Sequence, residues 1–188
     1  NKTIWDKYSV NAPIYGFMYS STVLNTRQSF SPEKFLEPKF EPEIFFRLSK
    51  KPHREMSDID LIACCESFGI GVELVQSIYK GWTFKLPDTV AGFGLHGQYK
   101  ILEEMAIPSD ENNRVVLIDQ LKNFNLTLKK NSKVMEHGKS KNILEESPLA
   151  ALRSYIEFCE TNIDWLILNG PITTGTITDA YDINKADV

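Results

Sequence analysis

The sequence predicts a mixed α+β fold dominated by β-sheet. Strand-like stretches recur: apolar and polar residues alternate at 39–48 and within 121–128, 70–77 reads as a strand by composition, and 172–183 is dense in threonine. Only two segments carry strong helix-start chemistry, Ser57-Asp58-Ile59-Asp60 and Ser147-Pro148. A hydrophobic share of 42% with 24% charged residues is ordinary for a globular protein, and 188 residues suffice for a single domain with a sizeable core.

Taken in order, Lys2–Tyr8 allows a short helix, and Ile14-Tyr15-Gly16-Phe17-Met18-Tyr19, rich in aromatic and β-branched residues, reads as a strand followed by a polar connection through Asn25–Gln28. In Lys39–Leu48, Phe40, Pro42, Ile44, Phe46 and Leu48 share one face, while Glu41, Glu43, Phe45 and Arg47 share the other. Pro42 lacks a ladder donor, which places this strand at an edge, at a bulge, or with that position turned from a partner. After a loop at Ser49–Arg54, Ser57 caps a helix running through Ile59, Ile62, Ala63 and Cys65/Glu66 towards a stop at Gly69. Ile70–Ser77 is the next strand, with Val72 and Leu74 on one face and Glu73 on the other. Gly92-Phe93-Gly94-Leu95-His96-Gly97 matches a dinucleotide fingerprint but lacks the strand–helix–strand context, so it reads as a tight loop. Ser109–Asn113 is an exposed turn, Val115–Ile118 and Leu121–Leu128 are strands, and Lys129–Lys133 turns a hairpin into Val134-Met135-Glu136. Ser147-Pro148 opens the second helix with the apolar stripe Leu149, Leu152, Tyr155, Ile156 and Cys159. A loop through Asn169-Gly170-Pro171 delivers a last strand, Ile172–Ile183.

The composition narrows the function classes. The net charge of −4 and the scattered lysines argue against nucleic acid. No apolar run reaches the length of a membrane span, and the opening residues lack a signal-peptide core. Cys64, Cys65 and Cys159 form no disulfide framework, so a reducing cytoplasm is the expected setting and the sequons at Asn1 and Asn125 are chance matches. The chain has no initiator methionine and stops in polar sequence at Val188, so segments are expected to be missing at both ends.

The chemistry concentrates on carboxylates. Glu41 and Glu43 project side by side from one strand face, and like charges so placed call for a cation or a shared proton. Glu73, on a second strand joined to the first by a helix, stands where it could converge on them. Three hard oxygen donors suit Mg²⁺ or Mn²⁺. The alternative is a solvated strand face on which acids happen to alternate. His96 sits in the glycine-rich loop within reach of a pocket, whereas His53 and His137 read as solvated. Lys85 and Asp88 follow the third glutamate closely and are the proton-transfer candidates.

Glu41-Pro42-Glu43, Glu73, Asp88-Thr89-Val90-Ala91, Ser147-Pro148-Leu149-Ala150-Ala151-Leu152 and Thr174-Gly175, in this order, resemble the 2-keto-4-pentenoate hydratase and 4-oxalocrotonate decarboxylase group of the fumarylacetoacetate hydrolase superfamily. The likeness runs from about Val10 to the end of the chain. It implies a mixed β-roll with two main helices, a divalent metal on Glu41, Glu43 and Glu73, and a homo-oligomer. The implied substrate is a small 2-oxo acid, or its 2-hydroxydienoate enol form, of the kind produced in meta-cleavage of aromatic compounds. Thr174 and Ser77 are the implied substrate-binding residues, while the catalytic candidates remain Asp88 and Lys85, read from their place after the third glutamate. The implied reaction is hydration of a 2-hydroxy-2,4-dienoate, with decarboxylation of a 2-oxo diacid as the alternative. This chain departs from the family pattern at Pro13-Ile14-Tyr15-Gly16, where the family has Pro-Asp-Phe-Gly, at Gln76-Ser77-Ile78, where it has Asp-Ser-Arg, and at Gly92-Phe93, where it has Asp-Asn. Those departures leave open a non-catalytic member that serves as an oligomer partner.

Overall fold

A computed structural model describes residues 12–144, 147–163, 168 and 170–184. The expected helix at Lys2–Tyr8 and the loop residue Asn169 lie outside these residues. The strands are β1 (Val23–Leu24), β2 (Lys39–Leu48), β3 (Cys65–Val75), β4 (His96–Ala106), β5 (Asn125–Lys130), β6 (Lys133–Lys139), β7 (Pro171–Thr173) and β8 (Tyr181–Asp182). The α-helices are α1 (Asp58–Ile62), α2 (Leu86–Ala91), α3 (Glu111–Lys122) and α4 (Pro148–Phe158). The fold is mixed α+β and sheet-dominated, as the strand-like segments predict.

The main sheet runs β1-β4-β3-β2-β7, with β8 also pairing β2, and β5-β6 form a separate hairpin. Alternation in β2 divides the molecule into two sides. Ile44, Phe46 and Leu48 enter a core with Leu61 and Ile62 of α1, Leu117, Ile118 and Leu121 of α3, and Leu149, Leu152 and Ile156 of α4. Phe46 and Leu48 are fully buried, each worth roughly 1.5–3 kcal/mol of transfer free energy. The opposite face carries Phe45, packed with Tyr99 and Ile101 of β4, and the glutamates.

Pro42 is accommodated by a gap. On the side of β2 away from β3, β8 covers Lys39 and Phe40 while β7 covers Phe45–Arg47. Between them the irregular chain approaches, with Ile177 N–H donating to the Pro42 carbonyl and Thr174 N–H to that of Ile44. No ladder donor is needed from position 42 there, so a central strand tolerates a proline.

Several elements differ from the sequence reading. Residues Ile14–Tyr19 form no regular strand; they run irregularly along a cavity, and only Val23–Leu24 pairs with β4. The first helix ends at Ile62, and Cys65, Glu66 and Gly69 belong to β3, because nine consecutive pairings with β2 outweigh a weak helical period. Val115–Ile118 lies in α3, whose N-cap Asp110 accepts from Asn113 N–H at 2.9 Å; Leu117, Ile118 and Leu121 face the core while Val115 and Val116 remain exposed. The expected strand Ile172–Ile183 is only β7 and β8, interrupted at Gly175, whose φ of +87° no strand accepts. α4 begins at Pro148 with Ser147 as cap, and the hairpin turns at Asn131-Ser132, both at positive φ. Cys64, Cys65 and Cys159 are free and buried. Among the described residues no helix is long and apolar enough to cross a membrane.

Candidate metal centre

Glu41 of β2 stands directly opposite Glu73 of β3 in the antiparallel register, and Glu43 follows two residues along the same face. One carboxylate oxygen from each lies within 4.8 Å of those of the other two. The convergence that spacing alone suggests is therefore produced by strand register. Glu43 is 2% exposed, and Glu41 and Glu73 are partly buried. Gly175 N–H donates to Glu43 Oε2 at 3.2 Å, an orientation its left-handed backbone permits.

Room for this arrangement comes from Gly71, which pairs with Glu43 across the ladder. A Cβ at position 71 would lie 2.3 Å from Tyr99 Oη and 2.7 Å from the Lys100 carbonyl oxygen. Tyr99, fully buried, fills that space and reaches to 3.5 Å from the Glu43 carbonyl oxygen. Gly71→Ala is expected to displace Tyr99 and lower stability by about 1–3 kcal/mol, read as a lower urea midpoint.

The electrostatics are those of crowded, desolvated acids. Burial, and then the neighbouring charge of Glu73, push the Glu41 carboxyl up to about 8, against a partial counter-pull from Lys39. Glu43 is raised well above the carboxylate range by burial and then by Glu73 and Glu41; hydrogen bonds from Thr173 and Gly175 oppose this without reversing it. Burial, with Glu43 and Glu73 adding to it, also raises the Tyr99 phenol. A divalent cation among these oxygens would offset both repulsion and desolvation, and an all-oxygen donor set suits Mg²⁺, Mn²⁺ or Ca²⁺. The residues present thus fit a hard metal ion.

The carboxylates line a cavity of about 530 Å³. Tyr15, Trp82, Phe93, Tyr155 and Phe158 form much of its wall, with Tyr15 stacked on Phe158 at 4.3 Å between centroids. Thr174 lines it as well, but its hydroxyl donates to the Ile44 carbonyl at 2.9 Å, so it presents acceptor lone pairs to the cavity. Lys39 contributes an ammonium 4.8 Å from the Trp82 ring centroid and 3.5 Å from Asp182.

Ser77, Lys85 and Asp88 are not brought to the cavity wall among the described residues. Ser77 is buried with Oγ donating to the Tyr79 carbonyl at 2.7 Å and accepting from Tyr79 N–H at 3.1 Å. Asp88 accepts from Lys85 N–H at 2.8 Å and so caps α2, while Lys85 is exposed. The residue that follows Asp88 does reach the cavity, where Thr89 lines the wall. Lys39, Tyr99 and Gly71 have no part in the site as read from sequence. Lys39 shares the alternation of Glu41 and Glu43, whereas Tyr99 and Gly71 are placed by cross-strand neighbours.

No family model matches the chain. Its sequence is 30% identical over 57 residues to a 4-oxalocrotonate decarboxylase of a Pseudomonas species, covering 30% of this chain and 22% of that protein. It is 26% identical over 110 residues to a 2-hydroxypent-2,4-dienoate hydratase of Pseudomonas putida, covering 57% of this chain and 50% of that protein. The chain thus aligns with half or less of each of these curated relatives. A solved 4-oxalocrotonate decarboxylase from Pseudomonas putida G7, complexed with magnesium and adipate, superposes with a TM-score of 0.82 at 20% identity, over 98% of this chain and 67% of that one. A protein of Yersinia pestis CO92 assigned to the fumarylacetoacetate hydrolase family gives a TM-score of 0.57 at 14% identity, over 88% of this chain and 74% of that one.

Proposed function

We propose that this chain, which has a fumarylacetoacetate hydrolase-type fold and is related to the 2-keto-4-pentenoate hydratase and 4-oxalocrotonate decarboxylase group, is a metal-dependent hydratase. Its substrate would be a 2-hydroxy-2,4-dienoate and its product a 4-hydroxy-2-oxo acid. The observation that carries the reading is the convergence of Glu41, Glu43 and Glu73 within 4.8 Å at the wall of an aromatic-lined cavity. In this reading the three carboxylates hold Mg²⁺ or Mn²⁺. When bound, the ion supplies Lewis-acid polarisation of the 2-oxygen of a chelating 2-oxo acid or its enol.

The chain's own residues supply the rest. The aromatic wall accepts the planar carbon chain and limits water to the polar end of the cavity. Thr174, its proton directed at the Ile44 carbonyl, accepts a hydrogen bond from a hydroxyl or from water at the substrate. Gly175 N–H holds one Glu43 oxygen in place.

A second reading is favoured by Lys39. Among the described residues it is the one lysine or arginine lining the cavity, and an ammonium there suits the remote carboxylate of a 2-oxo diacid, the substrate type of a decarboxylase. Both readings are tested by incubating the protein with Mg²⁺ and either 2-hydroxypenta-2,4-dienoate or a 2-oxo-3-enedioate, following products by proton NMR and released CO₂. The hydratase reading predicts a 4-hydroxy-2-oxo acid from the dienoate, and the decarboxylase reading predicts CO₂ from the diacid. Turnover of neither by protein that binds metal would favour a non-catalytic family member.

A further inference from the structure

His96 enters the site by a route that its position in a glycine-rich loop does not disclose. Its Nδ1 lies 2.6 Å from Glu73 Oε1, and its Nε2 lies 2.8 Å from Thr22 Oγ1. The His96 side chain is 5% exposed and that of Glu73 14%. We infer that His96 is a positioning residue for the carboxylate centre: clamped from behind by Thr22, it immobilises one oxygen of Glu73 and leaves the second for the cation. The inference rests on the metal-site reading above.

The backbone is built to make this contact. β3 and β4 pair Glu73 with Tyr99 and Leu74 with Gln98, but the register then shifts so that Val75 pairs with His96. Simple alternation from Tyr99 would send His96 to the face opposite Glu73. The irregularity at Gly97 re-aims it, as bulges do. Gly97 is needed there, since a Cβ would lie 2.8 Å from the Leu74 carbonyl oxygen. On the far side, the parallel pairing of β1 with β4, together with a 2.9 Å bond from Tyr99 N–H to the Thr22 carbonyl, fixes Thr22 beside the ring.

Hydrogen-bond accounting gives the ring its direction. A bare lone pair on Nδ1 facing a carboxylate oxygen at 2.6 Å would be repulsive, so Nδ1 carries the ring proton and donates to Glu73. A neutral ring in that tautomer accepts at Nε2, and the Thr22 hydroxyl, 2.8 Å from Nε2 and 2.9 Å from the Tyr19 carbonyl, is placed to donate to it. Glu73 is thereby restrained by a donor outside the cluster, while Gly175 does the same for Glu43. Outer partners of metal ligands act in this way, and losing one costs about 10–100-fold in affinity.

The test is titration of Mn²⁺ into wild type, His96→Ala, His96→Asn and Thr22→Val, by calorimetry and by the Mn²⁺ EPR spectrum, with metal-free unfolding midpoints measured alongside. His96→Ala is expected to weaken Mn²⁺ binding about 10–100-fold and to broaden the EPR lines. His96→Asn, whose amide N–H stands near the Nδ1 position, is expected to recover most of the affinity. Thr22→Val, which keeps the Tyr99 N–H bond to its carbonyl, is expected to lose a smaller part, and it carries the test if His96→Ala fails to fold. Wild-type affinity in His96→Ala, or in Thr22→Val should that variant stand in for it, would overturn the inference while leaving the metal centre intact, as would equal losses in the Ala and Asn variants. Absence of Mn²⁺ binding by wild type would overturn the metal-site reading itself, and the inference with it.

Discussion

Glu43→Gln is expected to weaken Mg²⁺ binding by about 100-fold or more, a loss at or beyond the upper end of what an outer partner costs, and to raise the unfolding midpoint of the metal-free protein. Both effects have one cause. Glu43 is 2% exposed and faces Glu41 and Glu73, so without a cation its charge is desolvated and repelled, which is why its carboxyl is driven towards the protonated form. Glutamine keeps the shape, and its carbonyl oxygen can still accept from Gly175 N–H, while its amide can donate to a neighbouring carboxylate. The metal-free protein therefore loses a source of repulsion and gains a donor. The metal site loses an anionic ligand. Paired calorimetry and thermal unfolding on wild type and variant check the prediction; a variant that is less stable and binds Mg²⁺ normally would remove Glu43 from the centre.

The stability of the metal-free protein should fall as pH rises from about 4.5 to about 8, a window in which globular proteins are more often near their maximum. Glu41 has an ordinary value of 4.5 and is raised to about 8 in the folded chain, first by burial and then by Glu73. The native state thus holds a proton that the unfolded state releases across this window. Its contribution is fully present below 4.5 and is lost as pH climbs through about 8. At about 1.4 kcal/mol per unit, the change amounts to several kcal/mol, and Glu43 moves in the same direction. Asp58 works in the opposite sense but elsewhere: against its own partial burial, Lys122 and Arg153 hold its carboxyl down, so its contribution is lost below 3.8. Saturating Mg²⁺ should reverse the trend, because ionised carboxylates bind it best at the alkaline end. Urea midpoints at about pH 5, 6.5 and 8, in chelator and in Mg²⁺, give the comparison.

The glutamates were legible because β2 writes its two faces directly into the sequence: Ile44, Phe46 and Leu48 on the buried side leave Glu41 and Glu43 no choice of direction. Glu73 was legible as a carboxylate able to converge on the other two, but its place directly opposite Glu41 depends on the β2–β3 register. Short apolar runs were the weak point. Val115–Ile118 reads as a strand by its β-branched run, but the cap at Asp110 places it in a helix. β4 received no assignment between Gln98 and Ala106, although Tyr99 and Ile101 alternate with Gln98 and Lys100, and without β4 neither Tyr99 nor His96 could be placed against the acids. The threonine-rich tail shows strand propensity throughout, yet Gly175 and the crossing at Pro42 divide it into two short pieces. Burial made the faces of β2 readable from one element; the glycine-rich loop placed His96 within reach of a pocket, where it lies, but its aim at Glu73 is set by a bulge that local sequence does not show.

The most direct test of the central claim is calorimetry of oxalate, a two-carbon mimic of a chelating 2-oxo acid, with wild type and with Glu41→Gln/Glu43→Gln, each in Mg²⁺ and in chelator. The account predicts that wild type binds Mg²⁺, binds oxalate only when Mg²⁺ is present, and loses both in the double variant. Oxalate binding of equal strength in chelator, or a wild type that takes up no Mg²⁺, would contradict it.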